Sequence, residues 1–374
     1  MLMTSSFVPP KRILMGPGPS EVHARVREAM AQPTIGHLDP AFVGLMDDIK
    51  ALLRAAFCTA NPVTFAVSGP GSAGMEACFV NLLEPGDKAI VCVNGVFGGR
   101  MKENIERCGA TAVVVEDPWG RAVDPDKVES AIKKYPDARL LAFVHAETST
   151  GVRSDAGVLC KLARDAGLLT IVDAVTSVGG IPVEVDAWGA DAVYSGSQKC
   201  LSCPPGLSPV TFGARALARI KDRKIKVQSW FLDLSLVTAY WSGEGGRTYH
   251  HTAPVNAMYA LAESLKMLHE EGLAESWARH ARCHQELVEA LTAIGLDWPI
   301  DPMVRLPQLN IVKIPDGAND VAVRSELLSA HGLEIGGGLG ASAGKVWRIG
   351  LMGQSATTGH VLACAAALAS VLNR

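Results

Sequence analysis

Short apolar runs alternate with amphipathic segments along residues 63–212 of the chain. Runs such as 90–93 and 140–144 are apolar throughout, as in strands that are covered on both faces. The predicted strands are 63–67, 89–93, 111–115, 139–144, 169–173, 192–195 and 208–212. Apolar residues at helical spacing predict helices between them, at 72–83, 100–108, 125–134 and 156–166. This alternation predicts a mostly parallel sheet with helices on both of its faces.

The pattern changes from residue 254 onwards, where long helices outnumber strands. We predict helices at 255–271, 274–294, 321–331 and 359–372, with strands at 309–314, 333–335 and 346–349. Helices with a few strands indicate a smaller α+β domain that packs on the first. The predicted fold class is therefore α/β, with an N-terminal arm at 1–15, a large domain at 16–271 and a small C-terminal domain at 272–374.

Glycine and proline alternate just before the first predicted helix. Residues 16–19, Gly-Pro-Gly-Pro, predict a turn, and Ser20 is of a residue type that caps helices. We therefore expect a helix from about Glu21 with Ser20 as its cap. A second helix is predicted at 39–57, because its apolar residues share one face.

Composition narrows the classes of function. The chain has 374 residues, of which 48% are hydrophobic, and its formal net charge is -3. Without a run of like charges, we expect neither nucleic acid nor a membrane surface as its partner. No apolar run approaches the ~18 residues of a membrane helix. Nine scattered cysteines favour the cytoplasm, and the lone pair Cys200 and Cys203 predicts no metal site.

Chemically useful residues follow three of the predicted strands. In an open α/β sheet, ligands bind beyond the carboxyl ends of the strands. Residues 68–72, Ser-Gly-Pro-Gly-Ser, follow the first strand and open a helix. Asp173 ends another strand as its only acid, and Lys199 follows a polar turn at 195–198. Each feature alone has an ordinary explanation. The segment 68–72 could be a tight connection, Asp173 a helix cap or a salt-bridge partner, and Lys199 a surface lysine.

Taken together, the three features match what pyridoxal 5′-phosphate requires. A desolvated lysine can form an imine with the aldehyde of this cofactor. The backbone N–H groups of Gly71 and Ser72, at a helix N-terminus, can hold the phosphate. A carboxylate such as that of Asp173 can face the ring nitrogen and keep it protonated, so that the ring accepts electrons from the substrate.

Longer motifs carry a resemblance that covers nearly the whole chain from residue 15. They are Met-Gly-Pro-Gly-Pro-Ser at 15–20, Tyr-Ser-Gly-Ser-Gln-Lys at 194–199, Tyr-His-His-Thr at 249–252 and Gly-Lys-Val-Trp-Arg-Ile-Gly-Leu at 344–351. The chain resembles a fold-type I, class V aminotransferase of the alanine/serine–glyoxylate family. This resemblance implies a homodimer in which the two subunits share their active sites.

The resemblance also implies roles for individual residues. Lys199 would hold the cofactor as an imine, Asp173 would face its ring nitrogen, and Arg348 would bind the substrate carboxylate, for which a planar guanidinium is suited. Phe97 would stack on the ring, and Thr148 would lie near the ring oxygen. The residues implied for the phosphate are Gly71, Ser72 and Gln198, with Tyr249 and Thr252 from the partner subunit.

Three positions depart from the family pattern. Position 97 is Phe where animal relatives carry Trp, which reduces the stacking area but keeps an aromatic face. Position 70 is Pro and offers no N–H, so the phosphate would rely on Gly71, Ser72 and the partner subunit. Position 148 is Thr instead of Ser, which keeps the hydroxyl.

Other polar residues near these motifs are predicted to have structural roles. His250 and His251 are adjacent on an extended segment and should point in opposite directions, which argues against a metal pair. His145 and Glu147 follow a strand end, where we expect hydrogen-bonded structural roles and not catalysis.

The predicted function is transfer of an amino group from alanine or serine to glyoxylate, with small amino acids and 2-oxo acids as substrates. Transaminases that act on ureidoglycine or on phosphonate amines are close alternatives. A cysteine desulfurase needs a mobile reactive cysteine, and Cys200 lies too near Lys199 to serve as one. A cofactor-binding protein without turnover is disfavoured by the intact set of Lys199, Asp173 and Arg348.

Overall fold

The computed structural model describes residues 6–242 and 247–373. Its helices are α1 (Ala24–Met30), α2 (Pro40–Ala56), α3 (Gly71–Leu82), α4 (Val96–Arg107), α5 (Pro125–Lys134), α6 (Ala156–Asp165), α7 (Val185–Trp188), α8 (Ala214–Lys221), α9 (Leu234–Ser242), α10 (Val255–Glu271), α11 (Leu273–Ala293), α12 (Asp320–His331) and α13 (Thr358–Val371). Its strands are β1 (Ile13–Leu14), β2 (Val63–Val67), β3 (Lys88–Val93), β4 (Thr111–Glu116), β5 (Leu140–Val144), β6 (Ala146–Glu147), β7 (Val152–Arg153), β8 (Leu169–Asp173), β9 (Ala192–Tyr194), β10 (Ser208–Phe212), β11 (Leu309–Lys313), β12 (Leu333–Glu334), β13 (Gly336–Gly337) and β14 (Val346–Gly350).

The central sheet has seven strands in the order β2-β10-β9-β8-β5-β3-β4. Neighbouring strands are parallel except at β10, which runs antiparallel to both β2 and β9. Each strand predicted between residues 63 and 212 is present, with ends shifted by at most one residue. The prediction of a mostly parallel sheet is therefore confirmed.

The middle of this sheet is fully enclosed. Every residue of β5 and β8 is buried, which explains why β5 is apolar without alternation. Helices α3, α4 and α6 pack on the sheet and supply much of this cover. The amphipathic helix α2 also matches its prediction, because Phe42, Met46 and Ile49 lie buried on one face and the side chain of Asp39 accepts a hydrogen bond from Ala41 N–H.

A second hydrophobic core lies in the C-terminal part of the chain. There β11, β14 and β13 form an antiparallel sheet, and residues of α11, α12 and α13 pack around the fully buried Trp347. Short strand β1 pairs in parallel with β12, so residues 13–14 of the predicted arm belong to this region. The division of the chain at residues 271 and 272 stays a proposal.

Two local expectations are wrong. Ser20 does not cap a helix, since α1 begins at Ala24 and a ring nitrogen of His23 accepts from Arg25 N–H. The turn at 16–19 instead brings Ser20 against the segment after β9, where its hydroxyl donates to the carbonyl of Lys199 at 2.7 Å. Helix α4 begins at Val96, four residues before its predicted start at 100.

The sequence pattern missed the helices α7, α8 and α9. They span only four to nine residues, whereas a helical spacing of apolar residues is recognised over a window of about 11–18 residues. Within residues 6–242 and 247–373, no helix is long and apolar enough to cross a membrane. The same residues contain no cluster of three or more His, Cys, Asp or Glu side chains suited to a metal ion.

Candidate active site

A cavity of about 220 Å³ lies at the carboxyl edge of the central sheet. Its wall is built by residues at or just beyond the ends of β2, β5, β8 and β9. The predicted site residues in this wall are Gly71, Ser72, Phe97, Thr148, Asp173, Gln198 and Lys199. The strand-end argument therefore located the cavity correctly, because parallel strands bring their carboxyl ends to one edge.

Lys199 is held against the N-terminal turn. Its side chain is largely buried, and its Nζ donates to the carbonyl oxygen of Pro17. Gly18 lies next to the lysine amine and has a φ of 112°, a backbone conformation that residues with a side chain rarely adopt, so this turn favours glycine. Burial lowers the pKa of Lys199 to about 8, with the positive charge of Arg348 as a smaller cause. A useful fraction of the amine is therefore neutral, which is the nucleophilic form.

Asp173 is a rigidly held carboxylate in the same wall. Its Oδ1 accepts from the N–H of Val175 at 2.8 Å, and its Oδ2 accepts from the hydroxyl of Tyr194 at 2.7 Å. Burial raises the pKa of Asp173 to about 6, although both hydrogen bonds act in the opposite direction. No cationic side chain forms an ion pair with it in the described part of the chain. A cation in the cavity would therefore stabilise its ionised form.

The N-terminus of α3 faces the cavity and lacks a side-chain cap. Its N-cap residue is Pro70, which makes no capping hydrogen bond, and Gly71 and Ser72 form the first turn. Free N–H groups at a helix N-terminus attract anions. Nearby, Oε1 of Gln198 is buried and has no hydrogen-bond partner among the residues that the structure describes. The helix N-terminus makes this corner suited to an anionic group, towards which Gln198 would present its amide nitrogen and not its oxygen.

Phe97 and Thr148 form a further part of the wall. Phe97 lies in the first turn of α4, and the guanidinium carbon of Arg100 lies 5.0 Å from the centre of its ring. Thr148 is buried in the connection between β6 and β7. Both side chains reach the cavity, in which the ring of Phe97 provides an aromatic surface.

Arg348 lies beside the cavity on the C-terminal sheet. It is 8% exposed, its Nε donates to the carbonyl of Gly337 at 2.7 Å, and its Nη1 donates to the carbonyl of Thr148 at 3.5 Å. Burial lowers the pKa of this guanidinium, while the charge of Glu147 acts in the opposite direction. The side chain thus joins the two parts of the fold next to Lys199.

The cavity does not include Tyr249 or Thr252 of the same chain. Tyr249 is 60% exposed and packs on the ring of His37 at a centroid distance of 5.2 Å, and Thr252 is exposed. The glycine-rich segment 242–248 precedes them in the sequence, and its residues 243–246 lie outside the described residues. The positions of Tyr249 and Thr252 are those of surface groups that another chain could reach.

His250 and His251 follow Tyr249, and the prediction that their side chains point in opposite directions is wrong. The rings of His250 and His251 do not point apart, because their Nδ1 atoms lie 2.8 Å apart and can share a hydrogen bond. His251 also bonds the hydroxyl of Ser68 through Nε2 at 2.7 Å. The backbone is irregular at this point, and it turns the two side chains towards each other. The alternation of side chains expected for a regular strand therefore does not apply here.

Sequence reasoning missed Tyr194 and Arg100 as parts of the site. Tyr194 lies opposite Asp173 in the register of β8 and β9, so its hydroxyl reaches the carboxylate. A strand-pairing argument for the two motifs could have suggested this contact. Arg100 reaches the cavity only because α4 begins at Val96, and no signal in the sequence analysis indicated that start.

A mostly parallel sheet with a lysine, a carboxylate and an uncapped helix N-terminus in one cavity defines a pyridoxal-phosphate transferase of fold type I. The profile of the aminotransferase class-V family matches residues 26–352, and the chain belongs to this family. It is a transaminase, and its cofactor is pyridoxal phosphate.

Individual relatives cover almost the whole chain. The alanine–glyoxylate aminotransferase of Rattus norvegicus is 40% identical over 365 residues, which span 97% of this chain and 88% of the relative. The crystal structure of an alanine–glyoxylate aminotransferase from Nostoc sp. superposes with a TM-score of 0.97 at 46% identity, covering 99% and 98% of the two chains. The ureidoglycine–glyoxylate aminotransferase structure from Bacillus subtilis gives 0.96 at 38% identity, covering 99% and 95%.

The residues present fit the cofactor. The uncapped N-terminus of α3, with Gly71 and Ser72 in the cavity wall, forms the anion-binding corner that a phosphate needs. The buried carboxylate of Asp173 lacks a cationic partner in the described residues, which a protonated ring nitrogen would supply. The partly neutral amine of Lys199 lies in the same cavity.

Proposed function

We propose that this transaminase moves an amino group from alanine or serine to glyoxylate. The observation that carries the proposal is the convergence of Lys199, Asp173 and the N-terminus of α3 in one cavity, in a chain whose relatives include alanine–glyoxylate aminotransferases. When bound, pyridoxal phosphate supplies an aldehyde for amino-group exchange and a ring that accepts electrons. The chain itself must bind and orient the cofactor and the substrate, and it must move protons between them.

Lys199 is the residue that we propose for covalent attachment and for proton transfer. Its Nζ has a pKa lowered to about 8, so it can take a proton from the substrate α-carbon and return one. Asp173, fixed by Val175 and Tyr194, would hold a proton on the ring nitrogen through its negative charge. These two residues are the proposed catalytic pair.

The remaining wall residues are proposed to bind and orient. Gly71, Ser72 and the side-chain amide nitrogen of Gln198 would donate hydrogen bonds to the phosphate, for which the helix N-terminus is electrostatically favourable. Phe97 would cover one face of the ring, and Thr148 would hydrogen-bond near the ring oxygen. Together they would hold the ring between Lys199 and Asp173 and exclude water from it.

Arg348 is the residue that we propose for the substrate carboxylate. Arg348→Lys keeps the charge but loses the planar fork, so the Michaelis constants of alanine and glyoxylate should each rise about tenfold. The dissociation constant of pyridoxal phosphate should change less than about threefold, because Arg348 holds no part of the phosphate corner. Steady-state kinetics and cofactor titration check both expectations.

Arg324→Lys is a matched control for this prediction. Arg324 also lies in the C-terminal region, where it bonds Asp320 on the same helix. The Arg324→Lys substitution should leave both Michaelis constants unchanged. Unaltered saturation of Arg348→Lys by alanine and glyoxylate would point to another carboxylate site.

We further propose a homodimer in which Tyr249 and Thr252 bind the phosphate of the partner subunit. Both side chains lie on the surface of their own chain, and the exposed aromatic residues Trp230 and Phe231 lie close by, in contact with His250. A twofold dimer would cover this apolar surface and complete two cavities at once. Cofactor affinity would then depend on assembly.

Mixing two inactive chains tests this arrangement. One chain carries Lys199→Ala, and the other carries Tyr249→Phe with Thr252→Ala. If the sites are shared, each heterodimer has one site with both defects and one with neither, so activity should recover to about half of the parental value per heterodimer. Each variant mixed with itself is the control. Subunits that exchange without any recovery would contradict the shared site.

The second candidate function is transfer from ureidoglycine to glyoxylate, which the similarity to the Bacillus subtilis structure favours. A panel of alanine, serine and ureidoglycine as donors, with glyoxylate and pyruvate as acceptors, separates the two. We expect alanine or serine with glyoxylate to give the highest kcat/KM. Turnover with ureidoglycine alone would establish the second candidate instead.

A desulfurase activity has an observation against it. Cys200 is buried, and burial raises the pKa of its thiol to about 12, so it is not the reactive thiolate that a desulfurase needs.

All nine cysteines are free thiols, and each lies in the described part of the chain. We propose a cytoplasmic location, because a reducing compartment keeps thiols free.

A further inference from the structure

Glu147 is a buried carboxylate beside the cavity that has no role in the chemistry above. It has 0% exposure, and its Oε2 accepts hydrogen bonds from the backbone N–H groups of Phe97 at 3.1 Å and Gly98 at 3.3 Å. Its Oε1 accepts from the N–H of Ser149 at 3.0 Å and from the Ser149 hydroxyl at 2.6 Å. Because all of these partners donate, the side chain is satisfied as an anion.

This carboxylate caps helix α4 from a distant part of the chain. The N-cap residue, Gly95, has no side chain, and the N–H of Val96 donates to the hydroxyl of Ser149 at 2.9 Å. Glu147 and Ser149 therefore satisfy the first N–H groups of a helix that lies about 50 residues earlier in the chain. A Cβ at Gly95 would overlap both side chains, so only glycine permits this contact.

What the carboxylate holds in place is the wall of the cavity. Phe97, whose backbone N–H donates a hydrogen bond to this carboxylate, lines the cavity. Thr148 lies between Glu147 and Ser149, is buried, and accepts a hydrogen bond from Arg348 at its carbonyl. One side chain thus fixes the aromatic surface and the neighbouring hydroxyl relative to each other.

A helix cap by itself needs only a residue at the N-cap position, such as Asp, Asn, Ser or Thr. Here that position is glycine, and the cap comes from the connection that carries Thr148. Burying a carboxylate is costly unless it is hydrogen-bonded, and burial does raise the pKa of Glu147. The arrangement therefore ties two parts of the cavity wall together, which an N-cap side chain at position 95 would not do.

We propose that Glu147 is a positioning residue for the cofactor, which sets the ring of Phe97 against the pyridoxal ring by anchoring the first turn of α4. The inference rests on the proposed role of Phe97 in the function above. Glu147 is not among the residues that line the cavity, and it acts through the backbone of Phe97, which does line it.

The test is a double-mutant cycle in which the dissociation constant of pyridoxal phosphate is measured by titrating the apoprotein. Glu147→Gln keeps the volume but places an amide N–H against backbone donors, so binding should weaken about tenfold, since a hydrogen bond to a charged group contributes roughly that factor. In a Phe97→Ala background the same substitution should cost less than about threefold, because the ring is already absent. The visible circular dichroism of bound cofactor should change in the single variant.

Glu103→Gln is the matched control, because Glu103 lies on the same helix, pairs with Arg107 and is exposed. It should leave the dissociation constant and the circular dichroism unchanged. A loss for Glu147→Gln that is equally large in both backgrounds would overturn the positioning role, since a purely structural defect does not depend on the ring. Equal binding by Glu147→Gln and the parent would overturn it as well.

The design separates this inference from the proposed function. If Phe97→Ala alone leaves cofactor binding unchanged, the proposed role of Phe97 fails, and the inference fails with it. If Phe97→Ala weakens binding and Glu147→Gln does not, only the inference fails. If Glu147→Gln does not fold, Ser149→Ala is put through the same cycle, because it removes the hydroxyl that links the carboxylate to Val96 N–H.

Discussion

Replacing Lys199 by alanine should abolish covalent cofactor attachment and lower transamination by at least ~10³-fold, while the protein still folds. Proton transfer by a positioned group contributes roughly 10²–10⁴-fold, and attachment adds to that. The lysine lies in the cavity wall, and its side-chain amine bonds only the carbonyl of Pro17 among the described residues, so loss of this side chain leaves both hydrophobic cores intact. Borohydride reduction followed by peptide mass spectrometry measures the attachment, and thermal unfolding checks the fold.

Lys102→Ala is the matched control, since this lysine lies on the exposed side of α4 and pairs with Glu106. It should keep both the adduct and the activity. Finding the reduced adduct on a peptide without residue 199 would contradict the assignment of Lys199.

Replacing Asp173 by asparagine should lower transamination by about 10³-fold. An ion pair at ~4 Å with an effective dielectric near 20 is worth up to about 4 kcal/mol, or about three pKa units on the ring nitrogen. Asparagine has nearly the same volume, and its oxygen can still accept from the N–H of Val175. Its amide nitrogen would donate to the hydroxyl oxygen of Tyr194, so the fold should persist. The measurement is kcat with alanine and glyoxylate, alongside cofactor titration.

Tyr194→Phe separates charge from hydrogen bonding in this prediction. It removes one hydrogen bond to Asp173 but keeps the carboxylate, so its loss of activity should be about tenfold or less. Turnover by Asp173→Asn within about threefold of the parent would show that the charge at this position has no such role.

The strand pattern was sufficient to predict the sheet and the place of the cavity. Strand β5 is apolar along its whole length, and this pattern is typical of strands with both faces covered. Once these strands are parallel, residues that follow them must meet at one edge. Asp173 and Lys199 therefore meet although neither is near the other in the chain.

Contacts between distant segments could not be predicted in this way. Ser20 bonds the carbonyl of Lys199 and Glu147 caps α4, and neither contact leaves a local pattern in the sequence. Capping by a remote carboxylate also explains the early start of α4, which its own residues do not signal. The role of Tyr249 stays a prediction, because it depends on the partner subunit.

The half-reaction with alanine tests the central claim most directly. Purified protein with bound pyridoxal phosphate is mixed with alanine in the absence of a 2-oxo acid, and the visible spectrum of the cofactor is followed. The aldehyde form should convert to the amine form with release of one equivalent of pyruvate, and added glyoxylate should restore the first spectrum and yield glycine. A spectrum that stays unchanged with alanine and with serine, in protein that retains its cofactor, would contradict the proposed amino transfer from these donors.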